Sequence, residues 1–412
     1  MARTPRVAII GGGIGGLSAA LALERRGIEV DIFEAAPSLG EIGAGLNLSP
    51  NALKVFRALD IEAEANAIGF ESDFQIIRSW HSGRIISRTL RKGFKERFGA
   101  PHLTVHRADL LNVLSRNLRR SRVHLGARCI EVEPLAHGAR ARFADGSEIE
   151  ADAVVGADGL HSVVRNSLFG ADAPRFTGCI CYRGLVPREE VPADIYTADG
   201  TMWMGPHGHV VHYWVRRGEL LNIVAHYDSD AWTEESWTRE CDRSELMQTY
   251  GRWHPSLLRL YECGEHWYKW ALYDRDPLPR WSKGNATLLG DSAHAMLPYL
   301  GQGACMAIED GYILAAAVAN RPDDMPAALV EYETLRRPRA NRAVLGSRMR
   351  AKENHLASPW RRLVRDTKFL LRDRFGTDKT AFQAAWLYAY DVAEEPIVRA
   401  DDAHAAGTIA AK

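Results

Sequence analysis

The chain has 412 residues, enough for two or three domains or one large two-domain enzyme. Lysine plus arginine equals aspartate plus glutamate, 52 each, so no overall field selects a polyanion and nucleic acid is disfavoured as the main ligand. Apolar residues make up 46% and charged residues 25%, the mix of a soluble globular protein rather than a membrane or disordered one.

Arg6–Ile10 (RVAII) is a short apolar run and reads as a buried parallel strand. A glycine turn follows. Leu17–Arg26 is rich in alanine and leucine and reads as a helix, closed by Gly27. Glu29–Glu34 (EVDIFE) alternates and supplies a second strand, which completes a β-α-β unit. Asp109–Arg120 has a helical period, and Val123–Leu125 and Cys129–Glu133 read as strands. Ala139–Phe143 runs into Ala144-Asp145-Gly146-Ser147, a hairpin signal. Ala151–Val155 is expected to form one buried strand leading into Gly156-Ala157-Asp158-Gly159.

From about residue 179 to 275 the character changes. Eight of the eleven tryptophans lie here or just beyond: Trp203, Trp214, Trp232, Trp237, Trp253, Trp267, Trp270 and Trp281. His209–Val215 and Leu220–Tyr227 alternate as antiparallel strands do, which suggests a separate substrate domain. Most of these aromatics are expected simply to fill its core. Ala286–Leu289 reads as a buried strand before Gly290-Asp291, and Gly303–Asn320 as a long helix. Residues 326–350 are helical in pattern, with a break or kink expected at Pro338. The tail beyond 395 is expected to be disordered.

The six cysteines show no C-x-x-C pair and no zinc-like spacing, so no metal site is expected and the thiols read as reduced and buried. The N-terminus imitates a signal peptide, with Arg3 and Arg6 before an apolar run and Ala20-Leu21-Ala22 as a mock cleavage site. Cleavage there would remove the chain's best motif, and the run is marginal for a membrane span. A cytoplasmic protein without a membrane partner is the expectation.

That motif is Gly11-Gly12-Gly13-Ile14-Gly15-Gly16, which satisfies G-x-G-x-x-G. Gly11 permits the tight turn, Gly13 lets backbone approach a pyrophosphate, and Gly16 allows close helix–strand packing. Ile14 and Gly15 complete the cradle at a helix N-terminus, where free N–H groups favour an anion. Glu34, followed by Ala35, ends the second strand where a ribose-binding carboxylate is expected. The motif alone does not separate FAD from NAD.

Two later stretches decide between them. Gly156–Arg165 (GADGLHSVVR) and Leu289-Gly290-Asp291-Ser292-Ala293-His294, with Pro298 and Gly301-Gln302-Gly303-Ala304, resemble the D-G and G-D motifs of the aromatic hydroxylase flavoproteins. Within these single-component FAD monooxygenases the chain most resembles the salicylate hydroxylase and 3-hydroxybenzoate 6-hydroxylase branch, over roughly residues 5 to 370. The resemblance implies an α/β fold: a Rossmann-like FAD-binding domain (1–75, 100–178, 276–325), an inserted mixed or antiparallel sheet domain for substrate (76–99, 179–275), and C-terminal helices (326–395). It implies FAD as cofactor and NADH or NADPH as a transient electron donor. Asp291 would accept from the ribityl hydroxyls, Gly301–Gly303 and Ala304 would open a helix toward the flavin, and Pro298 would sit beside it. Asp158 would support the pyrophosphate region, and Arg107 would reach the phosphates. Leu46-Asn47-Leu48, after the Gly43-Ala44-Gly45 turn, resembles the segment that contacts the isoalloxazine and one pocket wall.

The implied reaction reduces FAD with NAD(P)H and then passes oxygen from a flavin C4a-hydroperoxide to a small phenolic or heteroaromatic ring. A base for the phenol helps, because a phenolate is far more reactive. His209 and Tyr213 are four apart on one strand and share a face, while His212 points away. His209 is the expected base, with an ordinary sheet histidine as the alternative. Tyr213 would position the substrate, and Gln302 would bond it at the flavin junction. Arg183 is a candidate for a substrate carboxylate or for a structural ion pair, and Cys305 reads as packing. An oxidase or prenyl reductase on the same fold is the alternative function, and a non-enzymatic dinucleotide sensor a third. Monomer and homodimer are both open, as are the exact substrate and decarboxylating against plain hydroxylation.

Overall fold

The structure, a computed structural model, describes residues 4–40, 45–229, 239–375 and 384–398. Gly43, Ala44, Trp232 and Trp237, and most of the expected disordered tail (399–412), lie outside the described residues.

The apolar run Arg6–Ile10 is the centre of a six-stranded sheet. Its neighbours are Glu29–Glu34 on one side and Ala153–Gly156 on the other, both parallel. Arg122–Leu125 and Ala286–Leu288 extend the parallel sheet outward, and Ser282–Lys283 closes one edge as an antiparallel hairpin. The first helix spans Ile14–Arg25, starting earlier than its alanine-rich part suggests because Gly15 and Gly16 are already helical. It packs against the apolar helix Gly303–Asn320, and together they cover the sheet with one large core.

A second, eight-stranded sheet contains Arg175–Pro187, Gly200–Gly205, Gly208–Val215, Leu220–Asp228 and Trp267–Asp274, with Phe74–Ser79 and Ile85–Leu90 at one edge. Its pairs are antiparallel except Gly200–Gly205 with Phe74–Ser79, so the sheet is mixed. One face buries Trp203, Trp214, Trp253 and Trp267 in an aromatic core. A small three-stranded sheet pairs Gly45–Leu48 with Leu103–His106, which puts Gly45 opposite His106.

Three local expectations are corrected. Ala151–Val155 is not one strand. Ala151 pairs with Ala139 in the hairpin, Ala153 pairs with Val7 in the large sheet, and between them Asp152 accepts from the Arg6 amide at 2.7 Å. The helix Met325–Asn354 runs through Pro338 without ending. Arg336 and Arg339 on either side of it both pair with Glu309. The tail does not loosen at residue 396: Ile397 and Val398 are buried, and Asn320 Nδ2 donates to the Ile397 carbonyl at 2.7 Å. Among the described residues no helix is long and apolar enough to cross a membrane.

Candidate active site

The glycine turn is built for close approach. Gly11 has φ +110°, and a Cβ there would stand 2.3 Å from the Ala157 carbonyl oxygen. A Cβ on Gly16 would stand 2.0 Å from the Gly11 oxygen, and one on Gly15 2.7 Å from Leu289. Gly13 differs: a Cβ there would meet nothing within 4 Å. Gly13 precedes the buried Ile14 at the helix N-terminus, so backbone N–H groups face open space where an anion is favoured. Glu34 holds this turn, accepting from Gly12 N at 2.6 Å and Ala36 N at 2.8 Å. Each oxygen keeps a lone pair for a ribose hydroxyl, and Ala35 beside it is exposed.

Asp158 has a similar double duty. Its carboxylate caps the helix Val163–Phe169, accepting from Ser162 Oγ at 2.5 Å, Val163 N at 2.7 Å and Val164 N at 3.1 Å. Burial nonetheless pushes its pKa up. Asp158 N also lies 3.0 Å from where a Gly11 Cβ would be, so the two glycine motifs support each other.

The later motifs converge on the same groove. Asp291 is exposed although Ser292, Ala293 and His294 beside it are buried. Surrounding protein pushes its pKa up, and Arg107, within electrostatic reach, pulls it down. An accessible carboxylate flanked by buried residues is free to accept from a polar ligand. Gly303, at the start of its helix, would place a Cβ 3.9 Å from Asp291 Oδ1. Gly301 has φ +61°, and its Cβ would meet Asn47 Nδ2 at 2.7 Å. Gly45, Leu46 and Asn47 are half-buried, as are Arg107, Gly301, Gly303 and Ala304, and Pro298 is exposed. Residues far apart in sequence thus present accessible atoms within otherwise buried elements. An open anion-favouring turn, an accessible carboxylate and a helix N-terminus at Gly303 fit an FAD.

The eight-stranded sheet supplies the facing wall. A Cβ on Gly45 would stand 2.7 Å from both Tyr213 and Asn222, whose Oδ1 accepts from Gly45 N at 3.0 Å. Strand alternation puts His209 and Tyr213 on this face. His212 points the other way and accepts from Trp203 Nε1 at 3.1 Å. His209 is buried and stacks on His226 with centroids 4.5 Å apart. Burial and neighbouring positive charge hold both rings far below the usual histidine range. Among the described residues, Asn222 Nδ2 and both His226 nitrogens are buried without a hydrogen-bond partner, which suits a face that meets a polar ligand.

Gln302 corrects an expectation. Its position at the head of the Gly303 helix is as expected, but its side chain is buried, donating to Ser49 Oγ at 2.9 Å and accepting from Asn51 Nδ2 at 3.1 Å. The amide fastens the helix Pro50–Ala58 to the cleft instead of facing a substrate. Arg183 stacks its guanidinium over Trp270 at 4.5 Å. Cys305 is packed, its thiol pushed up to about 12 by burial.

Sequence reasoning missed Arg91. It follows the strand Ile85–Leu90 and its Nη1 lies 3.7 Å from where a Gly200 Cβ would be, on the same sheet face as Tyr213. Burial lowers its pKa, and the groups facing its charge are the Tyr388 and Tyr213 phenols, with no described carboxylate among them. A cation so placed suits an anionic ligand; an arginine just after a strand end carries no local signal of this. Also missed was a buried network. Arg336 pairs with Glu309 and Asp310 at 2.7 Å each, Asp310 with His294 at 2.6 Å, and Arg339 with Glu309 at 2.8 Å. Asp310 also accepts from Gly290 N at 3.2 Å, so the network holds the residue before Asp291. Its one sequence trace is the adjacent carboxylates in an otherwise apolar helix.

A family model described as an FAD binding domain matches residues 4–347. A 3-amino-4-hydroxybenzoate 2-monooxygenase from Streptomyces platensis is 37% identical over 390 residues, covering 94% of this chain and 97% of that one. This chain is a member of the FAD-dependent aromatic hydroxylases. The hydroxylase is also 36% identical to a 3-hydroxybenzoate 6-hydroxylase from Polaromonas naphthalenivorans, over 94% of this chain and 96% of that one. A salicylate hydroxylase solved with its substrate superposes with a TM-score of 0.82 at 27% identity, covering 97% of this chain and 98% of that one. If Asp291 holds the cofactor of this hydroxylase, Asp291→Ala should weaken FAD binding about 10- to 100-fold, the value of one or two charge-assisted hydrogen bonds. Gel filtration reads this directly, and a variant that emerges fully yellow would remove Asp291 from the cofactor site.

Proposed function

We propose that this hydroxylase acts on a small phenolic carboxylate, using NADH or NADPH and dioxygen. The observation that carries the reading is the placement of Arg91 and His209 on the sheet face that Tyr213 brings against the Gly45–Asn47 segment. A carboxylate on the ring would pair with Arg91. The phenol would meet His209, which burial keeps neutral and able to accept a proton. Tyr213, buried between Arg183 and Arg91 in charge terms, would orient the ring. Bound FAD supplies the two-electron acceptor for the nicotinamide and the site where dioxygen is activated. The three relatives named above carry in their names a benzene ring with both hydroxyl and carboxylate. We place the enzyme in the cytoplasm on its six unpaired thiols.

The test is anaerobic reduction of the yellow enzyme by NADH, with and without salicylate, 3-hydroxybenzoate and 3-amino-4-hydroxybenzoate, followed by aerobic product analysis. At least one acid should accelerate reduction strongly and return hydroxylated. Arg91→Gln should raise KM for that acid about 10- to 100-fold, a charge-assisted pair being worth about 1.5–3 kcal/mol. No acceleration by any acid, or an Arg91→Gln enzyme with unchanged KM, would overturn the reading.

A further inference from the structure

His209 is not an isolated base. Its Nδ1 lies 2.8 Å from His355 Nε2, and His355 Nδ1 lies 2.5 Å from Asp228 Oδ1. His355 caps the C-terminal end of the helix Met325–Asn354, and Asp228 ends the strand Leu220–Asp228. Exposure rises along this row: His209 is 1% exposed, the His355 side chain 7% and the Asp228 side chain 39%. We propose that His355 and Asp228 fix the tautomer of His209 and carry the proton it takes from the substrate out to solvent. This rests on the functional reading above, in which His209 receives the phenol proton.

The tautomers follow from the terminal carboxylate. An ionised Asp228 only accepts, so His355 carries its proton on Nδ1. A neutral His355 then offers a bare Nε2, so His209 carries its proton on Nδ1 and leaves Nε2 unprotonated. That is the form a base needs. When Nε2 takes the phenol proton, the Nδ1 proton of His209 moves to His355 Nε2. The Nδ1 proton of His355 moves in turn to Asp228 and from there to water. Each ring gains one proton and loses one. Without the row, a base kept neutral by burial would hold the phenol proton poorly. With it, the proton leaves the buried ring.

Other titratable and charged groups surround this row. His226 stacks on His209, and Tyr299 sits edge-on to His209, His226 and His355. Tyr299 donates to Cys179 Sγ at 3.3 Å, and Cys179 lies within 4.8 Å of the ligand atoms of Asp228 and His355. His207 Nδ1 is 3.9 Å from Asp228 Oδ2. Arg350 and Arg365 add positive charge beside His209, and Arg183 does so beside His226. These charges repel a proton lodged on His209, whereas the Asp228 carboxylate attracts one outward.

The test compares wild type with Asp228→Asn, Asp228→Glu and His355→Gln as FAD-loaded enzymes. The probe is whichever hydroxybenzoate accelerates reduction in the preceding experiment. Stopped-flow mixing with a pH-indicator dye reads proton release on ligand binding, and ultraviolet absorbance reads the bound phenolate. Asp228→Asn and His355→Gln should slow both at least about ten-fold, with flavin reduction by NADH retained and Asp228→Glu largely restoring release. Unchanged release and an unchanged pH profile of hydroxylation in both variants would overturn the relay while leaving His209 as base. If no hydroxybenzoate binds, the functional reading falls instead. The relay is then judged from 15N-histidine NMR. It predicts an Nδ1–H tautomer for His209 that is lost in Asp228→Asn, and persistence of that tautomer would overturn it.

Discussion

His209→Ala is expected to lower the hydroxylation rate about 10²- to 10⁴-fold, the range of general-base contributions, while flavin reduction by NADH stays close to wild type. The asymmetry is the point. His209 faces the expected position of the ring and is tied to His355, not to any segment of the glycine turns. If His209 is the base, removing it leaves the glycine turns untouched but leaves the phenol protonated when oxygen must be transferred. NADH consumption would then be uncoupled from hydroxylation, so peroxide formed per NADH consumed should rise toward one. Single-turnover kinetics with a peroxide assay measures both. Hydroxylation at the wild-type rate would exclude His209 as base.

Arg336→Met is expected to cost about 3–5 kcal/mol of stability, the usual penalty for removing one partner of a buried ion pair. Arg336, Glu309 and Asp310 have fully buried side chains, so no water can replace the lost guanidinium. Burial pushes the two carboxyls up, but Arg336, with Arg339 at Glu309 and His294 at Asp310, outweighs it and holds both below the usual range. Depressed carboxylates contribute stability that is complete above about pH 5 and is lost as the pH falls through their lowered values. The deficit of Arg336→Met relative to wild type should therefore be largest near neutrality and shrink in acid. Urea unfolding of both proteins across that range gives the comparison. A difference below about 1 kcal/mol at neutral pH would mean that the network is not under strain when the cation is gone.

The cofactor half of the fold was legible because its signals are local. A strand, a glycine turn and an alanine-rich helix follow one another within one β-α-β unit, and each motif sits at a strand end. His209 and Tyr213 were legible for a similar reason, since strand alternation alone puts them on one face. What escaped depends on contacts made across the chain. His355 reaches His209 from 146 residues away. The Gln302 side chain is turned inward by Ser49 and Asn51, roughly 250 positions back, which no local rule describes. Asp152 looks like one polar residue in an apolar run, yet its bond to the Arg6 amide separates hairpin from sheet. Pro338 stays inside the helix, with ion pairs made on either side of it.

The helix Met325–Asn354, about 45 Å long, joins the two halves of the chemistry mechanically. Its middle is bolted to the helix Gly303–Asn320 through Arg336 and Arg339, and its far end carries His355 to the sheet. Each residue added or removed between those points would swing His355 by about 100° around the axis and shift it by about 1.5 Å. Spacing along this strut is thus a dimension of the enzyme in its own right. Substitutions along its outer surface are tolerable, whereas a single-codon insertion or deletion would pull His355 away from His209 even with every other side chain still present.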